Sequence, residues 1–169
     1  MSELRAVRKP DGAIVVDGIP PLLAEVVREL PGRLGAEQPD VVKRRLFPVP
    51  TEDDQVADEW RRTQHPELFA LVADAKRIVA HDLPSLRRGK LARTWRLEIP
   101  AAHVPGWIGG LNAARLALGA VFDVSADDMD PEREPSYDER GLAVLRIELY
   151  GWLQGTLIDA IAPDEAEPA

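Results

Sequence analysis

The chain has no cysteine among its 169 residues. That removes disulfides, thiolate metal sites and cysteine nucleophiles together, and it fits a reducing compartment. Histidine is scarce as well: His65, His81 and His103 are scattered, with no HxxxH or HExxH pair among them. Chain spacing therefore supplies no zinc site, and each histidine is read as a structural or surface residue. No apolar run approaches the roughly 18 residues that span a bilayer. The start Met1-Ser2-Glu3-Leu4-Arg5 carries an acidic residue and no continuous apolar stretch, so a secretory signal is not expected. A cytoplasmic address without membrane contact follows by elimination. Also missing is any glycine string of the Walker, dinucleotide-binding or nucleophile-elbow type, and Ser2, Ser85, Ser125 and Ser136 fall outside any such motif. Neither a catalytic constellation nor a cofactor is expected.

What is present has the balance of an ordinary globular protein, with 45% apolar and 30% charged residues. The length suits one core, and a single domain is expected over residues 1–162, followed by a disordered acidic tail over 163–169. Lysine and arginine number 21 against 29 aspartate and glutamate, a net charge of −8. Such a surface repels phosphate backbones at long range, so nucleic acid is not an expected partner.

Lys9-Pro10-Asp11-Gly12 separates residues 3–8 from the β-branched run Ala13-Ile14-Val15-Val16, which predicts a β-hairpin whose second strand is covered on both faces. Leu22, Leu23, Val26, Val27, Leu30 and Leu34 then recur at three- and four-residue spacing, the pattern of an amphipathic helix opened by Pro20 or Pro21. Pro39, Pro48 and Pro50 predict extended or irregular chain between them. Thr51, followed by Glu52, Asp53 and Asp54, reads as the N-cap of a helix that carries Val56 and Trp60. A break at His65-Pro66 is expected before a longer helix with Leu68, Leu71, Val72, Ala75, Ile78 and Val79. The basic turn Arg87-Arg88-Gly89-Lys90 leads into Trp95-Arg96-Leu97-Glu98-Ile99, whose period of two predicts a strand that joins the hairpin in a three-stranded sheet. Residues 101–122 and about 140–161 read as two further helices. Between them, the segment 123–139 holds eight acidic residues and reads as a solvated linker or mobile loop. The fold class is thus α+β and predominantly α-helical, with four to five helices packed with a small N-terminal antiparallel sheet. The last helix is apolar around much of its circumference, so it is either central or gives one face to a second copy of the chain, a homodimer.

Leu111-Asn112-Ala113-Ala114-Arg115-Leu116-Ala117-Leu118-Gly119, the acidic insert, and then Tyr150-Gly151-Trp152-Leu153-Gln154-Gly155-Thr156-Leu157 resemble the bacterial domain of unknown function family numbered two thousand and seventeen. Asp11-Gly12, Arg45-Leu46-Phe47-Pro48 and Glu59-Trp60-Arg61-Arg62 are similar to features of that family in the same order. The resemblance covers nearly the whole chain. Ala113 departs from it, standing where the family tends to place an acidic residue. The resemblance implies no activity. It implies a neighbourhood, because genes of the family tend to lie near that of the adaptor protein of the Clp protease.

Arg115 is the most informative single position. A guanidinium within an apolar helical stripe stays charged and needs a carboxylate, carbonyls or a bound anion if buried. Its expected partner is Glu148, in an internal ion pair that locks two helices. The competing reading makes Asn112, Arg115, Tyr150 and Gln154 one polar groove for a ligand or protein partner. Asp128, Asp130, Glu132 and Glu139 occupy positions one, three, five and twelve of a calcium-loop template, but Arg133 replaces its glycine and Pro131 stiffens it, so a solvated loop is preferred. Arg87, Arg88, Lys90, Arg93 and Arg96 around Trp95 are read as a solvated basic turn before a phosphate site. The function expected is a noncatalytic regulatory or adaptor-like interaction module with an unidentified protein partner, linked through the resemblance to Clp-type proteolysis. The alternative is a small-molecule enzyme or sensor that binds an anionic metabolite near Arg115.

Overall fold

A computed structural model of the chain describes residues 4–35, 38–90 and 93–162; the acidic tail expected over 163–169 lies outside them. Strands β1 (Arg5–Arg8) and β2 (Ile14–Ile19) form the hairpin, with Arg5 opposite Asp17 and Arg8 opposite Ile14. The Asp11 carboxylate accepts from the Ala13 amide at 3.0 Å, and Gly12 sits at φ +83°, where a side chain would be strained. β2 is buried along almost its whole length, as a strand apolar on both faces should be.

The sheet has four antiparallel strands in the order β1-β2-β4-β3, where β3 is Arg87–Arg88 and β4 is Trp95–Ile99. The short β3 forms where a basic turn is expected. Arg88 lies opposite Trp95 with its guanidinium 4.6 Å from the ring centroid, a cation–π contact that holds the pair in register. Just before it, the Ser85 hydroxyl donates to the Glu98 carbonyl at 2.8 Å and accepts from the Glu98 amide.

Five α-helices pack with this sheet: α1 (Pro21–Arg33), α2 (Asp40–Leu46), α3 (Asp54–Asp82), α4 (Val104–Val121) and α5 (Glu139–Ile161). Helix α2 occupies chain expected to be irregular. Pro39 stands at its N-cap, where a missing N–H costs nothing, Asp40 meets the positive end of the dipole, and Lys43, Arg44 and Arg45 lie in the last turn. The expected break at His65-Pro66 is absent, and α3 runs continuously through Pro66 for 29 residues. A proline inside a helix removes one hydrogen bond and crowds the preceding turn. Here Phe47, at the C-cap of α2, packs on both His65 and Phe69 with ring centroids 5.8 and 4.3 Å away, so tertiary contact holds both sides of the proline in one helix. The N-cap of α3 is Asp53 rather than Thr51: its carboxylate accepts from the amides of Gln55 and Val56, while the Thr51 hydroxyl accepts from Asp53.

One core gathers Ile14, Val16, Leu97 and Ile99 from the sheet with Leu23, Val27 and Leu30 of α1, Trp107 and Leu111 of α4, and Leu153 and Leu157 of α5. Fully burying such a side chain stabilises the fold by about 1.5–3 kcal/mol. α5 keeps a second apolar set, Leu142, Leu145, Trp152, Ile158 and Ile161, exposed. Among the described residues no helix is long and apolar enough to cross a membrane. The acidic segment before α5 is organised around Asp128, which accepts from the Ser125 amide and hydroxyl and pairs with Arg133 and Arg140 at 2.6 and 2.8 Å. Those hydrogen bonds hold its carboxyl below the usual range.

Candidate functional site

Arg115 leaves the middle of α4 and lies against α5 at Gly151. A Cβ at that glycine would stand 3.4 Å from the Cζ, Nε and Nη2 atoms of the guanidinium, at van der Waals contact, so the guanidinium lies directly over the α5 backbone. Nη1 of Arg115 donates to Oε1 of Gln154 at 2.7 Å, and Nε2 of Gln154 donates to the Ile108 carbonyl at 3.2 Å. The chain Arg115–Gln154–Ile108 thus ties the two helices through a neutral amide. Among the described residues Arg115 and Glu148 make no ion pair, and Glu148 is exposed. The charge of Arg115 therefore faces its surroundings unneutralised, and its buried Nε has no hydrogen-bond partner among them.

Those surroundings are a groove of about 650 Å³ between α2 and α4. Asn112 and Arg115 line it from α4, one turn apart, and Arg44 and Arg45 line it from the last turn of α2. Leu116 and Ile147 add apolar wall. None of the three arginines makes an ion pair among the described residues, although Asp123 also lines the groove. Of the expected set the groove is lined by Asn112 and Arg115, joined by Arg44 and Arg45, while Gln154 meets it only through its hydrogen bond with Arg115.

Tyr150 does not belong with them. It is fully buried, and its hydroxyl donates at 2.8 Å to the Val26 carbonyl in α1. Burial pushes its phenol up to about 12. Nearby, Glu29 of α1 accepts from Arg33 and from Arg146 of α5, each at 3.1 Å. Partial burial pushes the Glu29 carboxyl up, but these two hydrogen bonds outweigh it and hold the group below its ordinary value.

The basic turn is spread over the sheet edge. Arg28 and Arg88 both lie over Trp95, at 4.1 and 4.6 Å, and Arg96 approaches Asp17 at 3.5 Å. In the calcium-like stretch Asp128 is taken up by Ser125, Arg133 and Arg140.

Spacing along the chain misses a second constellation. Asp82, at the end of α3, is 4% exposed. His81, His103 and Trp107 surround its carboxylate, the first at 2.8 Å and the other two at 2.9 Å. The excursion through β3 and β4 returns the chain to the end of α3 that it left. This is how residues 21 apart in sequence come to meet. The available signal was His103 and Trp107, four apart at the start of one helix, facing His81-Asp82 at the end of the preceding one.

No curated protein and no solved structure matches the chain. A family model does match, and it covers both long stretches that build the arginine groove, from β1 to the end of α5. With residues 6–161 matched, the chain belongs to the family of domains of unknown function DUF2017.

Proposed function

We propose that the chain is a noncatalytic regulatory or adaptor-like interaction module that receives an acidic protein segment in the groove walled by Arg44, Arg45 and Arg115. The observation that carries this reading is the convergence of those three arginines, none ion-paired among the described residues, on one groove of a chain with net charge −8. Arginines on an acidic surface gain by pairing, and guanidinium forks suit carboxylates. Leu116 and Ile147 would pack under the apolar side chains of a bound segment. Clp-type proteolysis, with its adaptor protein as a partner, is the setting in which we place this activity.

A second reading, a sensor for an anionic metabolite, is favoured by the buried, unpartnered Nε of Arg115 and by a groove volume within the range of small-molecule sites, about 300–1,000 Å³. A fluorescein-labelled octaglutamate peptide titrated against the protein separates the two. Saturable binding at low salt that disappears in Arg115→Ala and in the Arg44→Ala/Arg45→Ala double variant supports the partner groove. Binding that survives both variants rejects it. A specific rise in melting temperature with one anionic metabolite, lost in Arg115→Ala and without peptide binding, would move the assignment to the sensor.

A further inference from the structure

We propose that His81, Asp82 and His103 form a binding site for a first-row divalent transition cation, with Zn²⁺ as the probe, and that Trp107 positions its carboxylate ligand. Nδ1 of His81 and Nδ1 of His103 both converge on the same oxygen, Oδ1 of Asp82, at 2.8 and 2.9 Å. One donor atom from each of the three residues falls within 4.8 Å of the others. Four ligands at about 2.0–2.1 Å around zinc stand roughly 3.3 Å apart, so each imidazole would withdraw from Oδ1 by about half an ångström as the three donor atoms, all within 4.8 Å, close around the ion. Each imidazole then carries its proton on Nε2 and offers Nδ1 as a lone pair. Two neutral imidazoles and one carboxylate, with no thiolate anywhere in the chain, favour zinc or iron over calcium or copper(I).

A purely structural clamp between α3 and α4 leaves one residue unexplained. Asp82 is bridged to α4 by the Trp107 indole, which donates to Oδ2 at 2.9 Å, and to the turn before α4 by His103. Those contacts already join the elements and satisfy the buried carboxylate. The His81 side chain is 74% exposed, so holding it against the carboxylate of its own neighbour orders a ring that gains little burial. As a third ligand at the mouth of the site, its position has a reason. The exposed side leaves coordination positions open to solvent, while the Trp107 N–H on Oδ2 keeps Oδ1 turned toward the histidines, the outer-sphere support that ligating carboxylates usually have.

The test uses the untagged full-length protein, treated with chelator and titrated with Zn²⁺ in competition with a chromophoric chelator. One equivalent is expected to bind. Affinity should fall at least tenfold in His81→Ala and in His103→Ala, about tenfold in Trp107→Phe, and remain unchanged in His65→Ala. Long-range ¹H–¹⁵N spectra should show the Nδ1 signals of His81 and His103 moving on zinc addition. His81→Ala removes an exposed side chain and should leave the circular dichroism spectrum intact, so its result is readable even if His103→Ala fails to fold. The site is overturned if no stoichiometric zinc binds, if His81→Ala binds it as tightly as the parent, or if only His65 signals move.

Discussion

Tyr150 carries a hydroxyl into the centre of the protein, and two measurable consequences follow from its burial and its bond to the Val26 carbonyl. Removing the hydroxyl in Tyr150→Phe deletes the bond to the Val26 carbonyl and should cost about 1 kcal/mol at neutral pH, read from urea unfolding. The second consequence concerns alkali. The phenol is raised from its ordinary 10 to about 12 in the folded protein, so the neutral form is favoured by folding. Below pH 10 both states hold the proton and the contribution is complete. As pH rises toward 12 the unfolded chain ionises first, and stability is lost through that window. The loss should reach roughly 2 kcal/mol, and it should be smaller by about that amount in Tyr150→Phe. Equal alkaline profiles for parent and variant would show that the phenol is wet. In the sequence Tyr150 sits beside Gln154 at groove spacing, and nothing in that spacing reveals that the longer side chain reaches α1 while the amide reaches α4.

At the scale of elements, the start of α3 gives a prediction that distinguishes two neighbouring residues. Asp53 accepts from two amides of the first turn, whereas Thr51 accepts only from Asp53. Asp53→Ala should therefore cost about 1 kcal/mol and Thr51→Ala distinctly less. The reverse order in thermal unfolding would return the cap to Thr51. Most elements are legible in the sequence: the hairpin reads from Asp11-Gly12, β4 from its alternation, α1 and α4 from the stripes that burial imposes, and α5 from a long apolar run between the acidic segment and Pro163. Where the reading differs, proline is involved twice. Pro39 precedes α2 without excluding it, because a helix start needs no N–H there, whereas α3 passes through Pro66 because packing overrides the local rule: Phe47 contacts α3 one residue before the proline and three after. The candidate sites were half legible for the same reason. Arg115 stands out by breaking an apolar stripe, but the arginines facing it come from α2, a short helix that the surrounding prolines conceal in the sequence. Asp82 is inconspicuous in the sequence because a charged residue at a helix end is usually solvated, and only the return of the chain through β4 buries it.

At the scale of the molecule, an acidic exterior coexists with one arginine groove and with an apolar stripe on α5. Leu142, Leu145, Leu149 and Trp152 recur at helical spacing, and three of them are exposed. The homodimer we propose on this stripe should appear as a second sedimenting species at micromolar concentration and vanish in Trp152→Glu; a single monomeric boundary for the parent would exclude it. The uneven burial of α3 reaches further. The helix is about 43 Å long, with Ala75, Val79 and Asp82 buried near one end and only Ala57 near the other. Its amides should consequently exchange with deuterium on two timescales, slowly near Asp82 and faster before Pro66, where one backbone bond is already missing. Helix α2 rests mainly on α4, the helix that carries Arg115, and touches α3 through Phe47 on both sides of Pro66, so such an opening would leave Arg44 and Arg45 facing Arg115. The groove should therefore persist while the start of α3 opens and recloses many times for every global unfolding of the sheet and core.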